Sequence, residues 1–198
     1  MRAVDRVINL ILSGVLILGV YQIYFWCQRN ALVRPREFAV TLDDKIPYSP
    51  WWVWIYSFLY YPVILYVNAT FRSAEEFTRI AASYLLLLVL QAGFFLLLPV
   101  RTPLHWRTAH PGRTLSERVL KFVQRIDAPT NSFPSMHTSV AMLTALHLRA
   151  ELGAAAFAFP VLIGASCLLT KQHYLADVPA GAGLGWLAHT AYLQYAGT

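Results

Sequence analysis

The chain has 198 residues, of which 57% are hydrophobic and 13% are charged, and its mean hydropathy is +0.47. Soluble domains carry about 25% charged residues, so the composition excludes an ordinary soluble domain and indicates a membrane protein. The net charge of +6 suits anionic head groups or phosphate substrates, although basic loops beside membrane spans would give the same excess.

Six apolar segments predict an all-α integral membrane protein, a bundle of six transmembrane helices in one domain covering residues 1–198. They lie at residues 7–27, 51–69, 80–100, 135–148, 154–169 and 178–195. Because about 20 helical residues cross the hydrocarbon core, the fourth segment is short for a span. Pro62 predicts a kink in the second segment. Gly181 and Gly185 in the sixth are spaced for close contact with another helix.

The loop between the third and fourth segments, residues 101–133, contains a predicted amphipathic helix. Thr114 and Glu117 have the spacing of a capping box at its start. The helical spacing of the residues after them places apolar side chains on one face and basic side chains on the opposite face. This pattern is typical of a helix lying on the membrane surface. Arg107 and Arg113 in the same loop are interpreted as solvated charges, and His105 and His110 as solvated loop residues.

Two short stretches, far apart in sequence, place ionisable residues at span boundaries. Residues 134–137 read Pro-Ser-Met-His and open the fourth helix, and residues 170–177 read Thr-Lys-Gln-His-Tyr-Leu-Ala-Asp before the sixth. An ionisable residue at such a depth is energetically costly, so it is a candidate for function. Since the third and fifth spans end on the same face, both stretches are predicted to meet there, beside Arg101 at the end of the third span.

These residue types fit phosphoryl transfer. His173 and Asp177 are four residues apart and can hydrogen-bond, and a carboxylate can orient a nucleophilic imidazole. His137 can donate a proton to a leaving oxygen. Substrate-binding residues are predicted at Arg101, Lys171 and Ser135, which would hold phosphate oxygens beside a helix N-terminus. Taken alone, a lone histidine is more often structural, and His-x-x-x-Asp could be half of a metal site.

Together the two motifs resemble the type 2 phosphatidic acid phosphatase superfamily, which includes lipid phosphate phosphatases and vanadium haloperoxidases. That family carries Lys-x6-Arg-Pro, then Pro-Ser-Gly-His, then Ser-Arg-x5-His-x3-Asp, and its membrane members have six helices. The match extends from the third span onward. The resemblance implies that His173 is the nucleophile that forms a phosphohistidine, that Asp177 orients it, and that His137 is the general acid. It also implies a site that needs no metal or other cofactor.

The chain departs from the family pattern mainly at residues that would hold phosphate. Phe94 replaces the first lysine, residues 101–103 read Arg-Thr-Pro in place of Arg-Pro, Met136 replaces the glycine, and Cys167 replaces the arginine. Lys171, one helical turn beyond Cys167, is predicted to supply the missing charge. With residues 44–56 and 170–174, these departures resemble the branch of inositol phosphorylceramide synthase-like enzymes, and His-Tyr-x-x-Asp-Val at residues 173–178 also resembles sphingomyelin synthases. Members of that branch move a phosphoryl-linked head group onto a lipid alcohol.

The charge distribution and the resemblance disagree about which side of the membrane the motifs face. Eleven Lys and Arg residues lie on the predicted motif side and five on the other, which by the positive-inside rule favours the cytoplasm. The resemblance implies the outer or lumenal face. The prediction follows the resemblance and places the site on the extracytoplasmic face of the plasma or inner membrane.

Three functional hypotheses remain open from the sequence. The first is a lipid phosphatase or phosphotransferase acting on a lipid phosphate or phospholipid, with membrane lipids as its partners and no nucleic acid. The second is a catalytically inactive protein that binds or translocates anionic lipid, which the missing cations favour. The third is metal-dependent hydrolysis through His137, His173 and Asp177.

Overall fold

A computed structural model of the chain describes residues 2–38, 41–108 and 112–196. It is all-helical, with 78% of residues in helices and no strand in the described part. The α-helices are α1 Ala3–Arg29, α2 Thr41–Lys45, α3 Tyr60–Thr70, α4 Ala74–Leu97, α5 Leu104–Thr108, α6 Leu115–Ile126, α7 Met136–Leu152, α8 Ala158–Leu169 and α9 Asp177–Ala196. A 3-10 turn, Pro50–Trp52, and a π-helical turn, Ile55–Leu59, precede α3, and a second 3-10 turn, Gly153–Phe157, precedes α8.

Each of the six predicted apolar segments is helical in the structure, but the number of membrane spans is a separate question. Three helical stretches are long and apolar enough to cross a membrane: Ala3–Arg29, Ala74–Leu97 and Met136–Leu169. The third is interrupted at Gly153, whose backbone has a positive φ of 58° and ends α7. These stretches indicate a membrane protein, while the count of six spans stays a prediction.

Helix α7 lies at the centre of the bundle and packs against α3, α4, α8 and α9. Its contact with α9 is close because α9 presents glycine. A Cβ atom at Gly181 or Gly185 would collide with the main-chain oxygen of Ser135 or Ser139, whereas the position of Gly183 is open. The predicted close helix contact at Gly181 and Gly185 is thus confirmed, and it fixes the start of α7 against the start of α9.

Helix α6 has the predicted capping box and the predicted amphipathic character. The Thr114 hydroxyl accepts a hydrogen bond from the Glu117 amide, and the Glu117 carboxylate accepts one from the Thr114 amide. Leu120 is buried, whereas Leu115 and Phe122 are exposed. An apolar face left uncovered by the protein fits a helix that lies at the membrane interface.

Candidate active site

The turn between α8 and α9 holds His173 and Asp177 in direct contact. The His173 Nδ1 atom lies 3.2 Å from Oδ2 of Asp177. Asp177 is the first residue of α9, and the same carboxylate oxygen accepts a hydrogen bond of 2.9 Å from the Tyr174 amide. Both side chains are buried. The residues between them form a turn rather than helix, so the contact depends on this turn and on the start of α9.

A second acceptor determines which nitrogen of His173 carries the proton. Nδ1 lies 2.9 Å from the main-chain carbonyl oxygen of Ser132. A carbonyl oxygen can only accept, so Nδ1 must be the donor. In the neutral ring the lone pair is therefore on Nε2, which is the arrangement a nucleophilic histidine requires.

His137 lies beside His173, in the first turn of α7. The two rings are 6.2 Å apart between centroids and meet at 66°. The other side of His137 is stacked on Tyr56 at 4.1 Å and contacts Tyr60 at 4.9 Å. The two aromatic rings hold the imidazole in place, so the structure brings together the three residues predicted to be catalytic.

A main-chain hydrogen bond joins the motif before α7 to the motif before α9. The Ser135 amide donates to the main-chain oxygen of Asp177 at 3.0 Å. Ser135 itself is fully buried, and its hydroxyl accepts a hydrogen bond from the Thr138 amide as the N-cap of α7. In this structure the Ser135 side chain therefore caps the helix that carries His137.

Gln91, in α4, supports the same junction and was missed from the sequence. Its side-chain amide donates to the Pro134 carbonyl at 2.6 Å, and its oxygen accepts a hydrogen bond of 3.1 Å from Ser139. Gln91 is almost completely buried, within the apolar second half of α4. A polar residue inside a predicted span was the available signal, because such a residue needs a buried partner.

Lys171 is engaged with another part of the chain. Its ammonium group donates to the main-chain oxygen of Asp43 and lies 5.0 Å from the centre of the Trp106 ring. The Asp43 carboxylate accepts a hydrogen bond of 2.6 Å from the Leu175 amide. Burial lowers the pKa of Lys171, partly offset by the charges of Asp44 and Asp43. In the described contacts, Lys171 holds α2 against the turn that carries His173.

Arg101 lies on the surface near this turn. Its side chain is half exposed and pairs with Glu37 at 2.9 Å. Its main-chain oxygen accepts a hydrogen bond of 3.0 Å from the Tyr174 hydroxyl. Arg101 therefore positions the residue next to His173 through its backbone, while its guanidinium has a carboxylate partner.

Among the loop residues interpreted as solvated, His105 and Arg113 are exposed as interpreted, whereas Arg107 is not. Arg107 is half-buried and hydrogen-bonded to main-chain carbonyls. His105 is exposed and lies 3.8 Å from Asp44, and His110 lies outside the described residues. Within the part of the chain that the structure describes, no group of three or more His, Cys, Asp or Glu residues could hold a metal ion.

Comparison with known proteins gives one match. A family model described as the PAP2 superfamily matches residues 28–191, which cover most of the chain and include every residue of the candidate site. No curated protein and no solved structure matches the chain.

Proposed function

The chain belongs to the PAP2 superfamily, and on that premise we propose that it is a membrane-embedded phosphatase or phosphotransferase that cleaves a phosphoester of a lipid through a phosphohistidine. Membership of the superfamily indicates chemistry on phosphoesters. The observation that carries the finer proposal is the pairing of His173 with two acceptors on Nδ1 while its ring faces His137.

The first half-reaction would use the two histidines in complementary roles. The Nε2 lone pair of His173 attacks phosphorus, the bond from phosphorus to the leaving oxygen breaks, and protonated His137 gives its proton to that oxygen. His173 then carries the phosphoryl group and a positive charge. The Asp177 carboxylate beside Nδ1 stabilises that charge.

The second half-reaction returns the enzyme to its starting state. His137, now neutral, takes a proton from water or from the hydroxyl of a lipid alcohol as that oxygen attacks phosphorus. The phosphorus–nitrogen bond breaks and its electron pair returns to Nε2 of His173. Water gives hydrolysis, and an alcohol gives transfer of the head group, as in the inositol phosphorylceramide synthase-like branch that the sequence resembles.

A cavity beside His137 supports a lipid as the substrate. It has a volume of about 100 Å³, lies between α1, α3, α4 and α7, and is lined mainly by apolar side chains. Tyr60 and Met136 are among its lining residues, and Tyr60 contacts the His137 ring. An alkyl chain in this cavity would gain from leaving water while its head group stays near the histidines.

We further propose that all six apolar helical segments cross the membrane, with the site on the extracytoplasmic face. Both native cysteines are buried, so an introduced cysteine can be labelled selectively. Ala176→Cys, at an exposed position in the turn before α9, should react with an impermeant maleimide on intact cells, whereas Leu152→Cys at the other end of α7 should react only after permeabilisation. The reverse pattern would place the site in the cytoplasm, as the distribution of basic residues favours.

The activity is tested by product analysis with labelled phospholipid in detergent, with and without an alcohol acceptor. The purified protein should release or transfer the phosphoryl-containing group, and His173→Ala should abolish this. His189→Ala, a histidine on α9 away from the two motifs, is the matched control and should remain active. Product formation that is unchanged in His173→Ala would refute the phosphohistidine mechanism.

A second candidate function is a catalytically inactive protein that binds or translocates anionic lipid. It is favoured by Phe94 and Cys167, which stand where the family carries a lysine and an arginine. This function predicts no turnover of any phospholipid, together with saturable binding of anionic lipid that Arg101→Ala weakens. Turnover that depends on His173 would exclude it.

A further inference from the structure

Arg107, in the short helix α5, has an unusual hydrogen-bonding state for a partly buried cation. Its Nη1 atom donates to the main-chain oxygens of Asp127 at 2.6 Å and Gln124 at 3.2 Å. Its Nε atom is buried and has no acceptor among the described residues. Arg107 also takes part in none of the ion pairs found in the described part of the chain, whereas Arg101 is paired with Glu37. A buried charge normally has such a partner.

One edge of the guanidinium carries a buried N–H group that has no acceptor among the described residues. Nη1, at one end, is anchored on two carbonyls, and the opposite edge carries the N–H groups of Nε and Nη2 side by side. That edge is the one that binds two oxygens of a phosphate or carboxylate at once. The anchoring of Nη1 therefore fixes the side chain, while Nε on the bidentate edge keeps an unused N–H donor.

Asp127 connects Arg107 to the candidate active site. Its carboxylate accepts hydrogen bonds from Tyr24 at 2.9 Å and Gln28 at 2.6 Å, both on α1. Burial raises the pKa of Asp127, and the nearby charges of Arg107 and His173 both act to lower it. The carboxyl group thus lies within the electrostatic reach of both residues. Burial lowers the pKa of Arg107, and nearby Asp127 and Tyr56 act to raise it. Tyr56 is the residue that stacks on His137.

The chain between Asp127 and Ser132 has further unsatisfied polar groups. Thr130 Oγ1 and Asn131 Oδ1 are buried without a hydrogen-bond partner among the described residues. The same is true of Thr102 Oγ1, and Thr102 contacts this segment because its amide donates to the Pro129 carbonyl. Native proteins leave few buried polar groups unpaired. This segment ends at Ser132, whose carbonyl accepts the hydrogen bond from His173. The unpaired polar groups therefore lie on the stretch of chain that runs from the Arg107 contact at Asp127 to the contact with the proposed nucleophile.

We propose that Arg107 binds the phosphate group of the substrate and supplies the positive charge that Phe94 and Cys167 leave missing. The inference rests on the proposed function, since it assigns a residue to the same site. Arg107 suits the role better than the two cations singled out in the sequence. Lys171 is engaged by Asp43, and Arg101 is paired with Glu37 at the surface.

The test combines binding of inorganic phosphate by the purified protein with steady-state kinetics on a phosphoester. Arg107→Lys keeps a positive charge but loses the bidentate edge, and Arg107→Gln loses both. Each should weaken phosphate binding and kcat/KM by roughly 10- to 100-fold, the loss expected for hydrogen bonds to a charged group. Arg125→Gln, at an exposed arginine on α6, is the matched control and should change neither quantity.

Melting temperature in detergent separates a binding role from a structural one. The lysine of Arg107→Lys can still reach the Asp127 carbonyl, so the melting temperature of this variant should stay near that of the wild type. If Arg107→Gln does not fold, Arg107→Lys alone tests whether residue 107 binds phosphate. Folded Arg107→Lys protein with wild-type phosphate affinity and kinetics would overturn the proposal. If the wild-type protein shows no turnover but Arg107→Lys still weakens phosphate binding, the proposed function is overturned and the binding role of Arg107 stands.

Discussion

The Nδ1 atom of His173 lies 2.9 Å from the main-chain oxygen of Ser132 and 3.2 Å from the carboxylate of Asp177. Because a carbonyl cannot donate, Ser132 alone is enough to keep the proton on Nδ1. The tautomer of His173 thus has two independent determinants, one in the backbone and one in a side chain. Asp177 adds a negative charge that the carbonyl cannot provide.

This arrangement predicts a limited effect for Asp177→Asn. Where a carboxylate alone fixes the tautomer, its change to an amide costs about 10⁴-fold in kcat. Here Ser132 preserves the tautomer, and the asparagine oxygen can still accept from the Tyr174 amide, so only charge stabilisation is lost. We expect a decrease in kcat of about 10²-fold, within the range typical of one acid–base or charge contribution, as measured by phosphate release in detergent.

His173→Ala provides the comparison, since it removes the nucleophile and should leave no activity above background. Equal losses in Asp177→Asn and His173→Ala would contradict the role assigned to the Ser132 carbonyl.

The role of His137 predicts a dependence on the leaving group. If His137 protonates the leaving oxygen, His137→Ala should lower kcat by about 10²- to 10⁴-fold for an alkyl phosphoester. A nitrophenyl phosphoester, whose leaving oxygen needs no proton, should lose much less. Parallel kinetics on the two substrates measure this difference. The same loss on both would show that His137 does not act as the general acid.

Much of the fold, and the proximity of His137, His173 and Asp177, could be predicted from local sequence patterns. Apolar runs identified the helices, the spacing of Gly181 and Gly185 identified a close contact, and Thr114 with Glu117 identified the start of α6. His137 and His173 could be placed together because motif spacing and the direction of successive spans are topological properties. Each of these features is encoded within a few residues or in the order of the helices.

The remaining site contacts could not be read in this way because they join distant and irregular parts of the chain. Lys171 binds Asp43, which is 128 positions earlier, and Arg107 binds the carbonyl of Asp127 at the end of α6. Neither contact has a periodic pattern, and both involve main-chain oxygens whose direction depends on the folded loop. Arg107 was consequently interpreted as solvated, although the structure buries part of it.

The contact between α7 and α9 predicts different effects for neighbouring glycines. Gly185→Ala would force a Cβ atom against the Ser139 carbonyl and should destabilise the protein by roughly 1–3 kcal/mol, the cost of overpacking. Gly183→Ala is the matched control, because its position is open and alanine favours a helix by about 0.5–1 kcal/mol over glycine. Thermal unfolding in detergent should rank Gly183→Ala at or above the wild type. A ranking with Gly185→Ala as the more stable variant would contradict the close contact.

Asp127 predicts a specific dependence of stability on pH. Burial raises its pKa above the ordinary value of 3.8, despite opposing contributions from Tyr24, Gln28, Arg107 and His173. The folded protein therefore holds a proton that the unfolded chain has released, and stability falls as the pH rises from the unfolded pKa through the folded one. Asp127→Asn cannot titrate, and its amide oxygen can still accept from Tyr24 and Gln28.

We therefore expect Asp127→Asn to gain melting temperature relative to the wild type as the pH rises from about 4 to about 7, with the smallest difference at the acidic end. The measurement is thermal unfolding in detergent at matched ionic strength. Asp5→Asn is the control, because the Asp5 carboxylate is partly exposed and forms an ion pair with Arg2 at 3.3 Å, so this variant should not gain melting temperature over that range. If the wild-type protein instead becomes more stable than Asp127→Asn as the pH rises, the ionised Asp127 carboxylate is stabilised by a positive charge in the folded protein. Arg107 would then be the partner of Asp127 instead of a free phosphate-binding group.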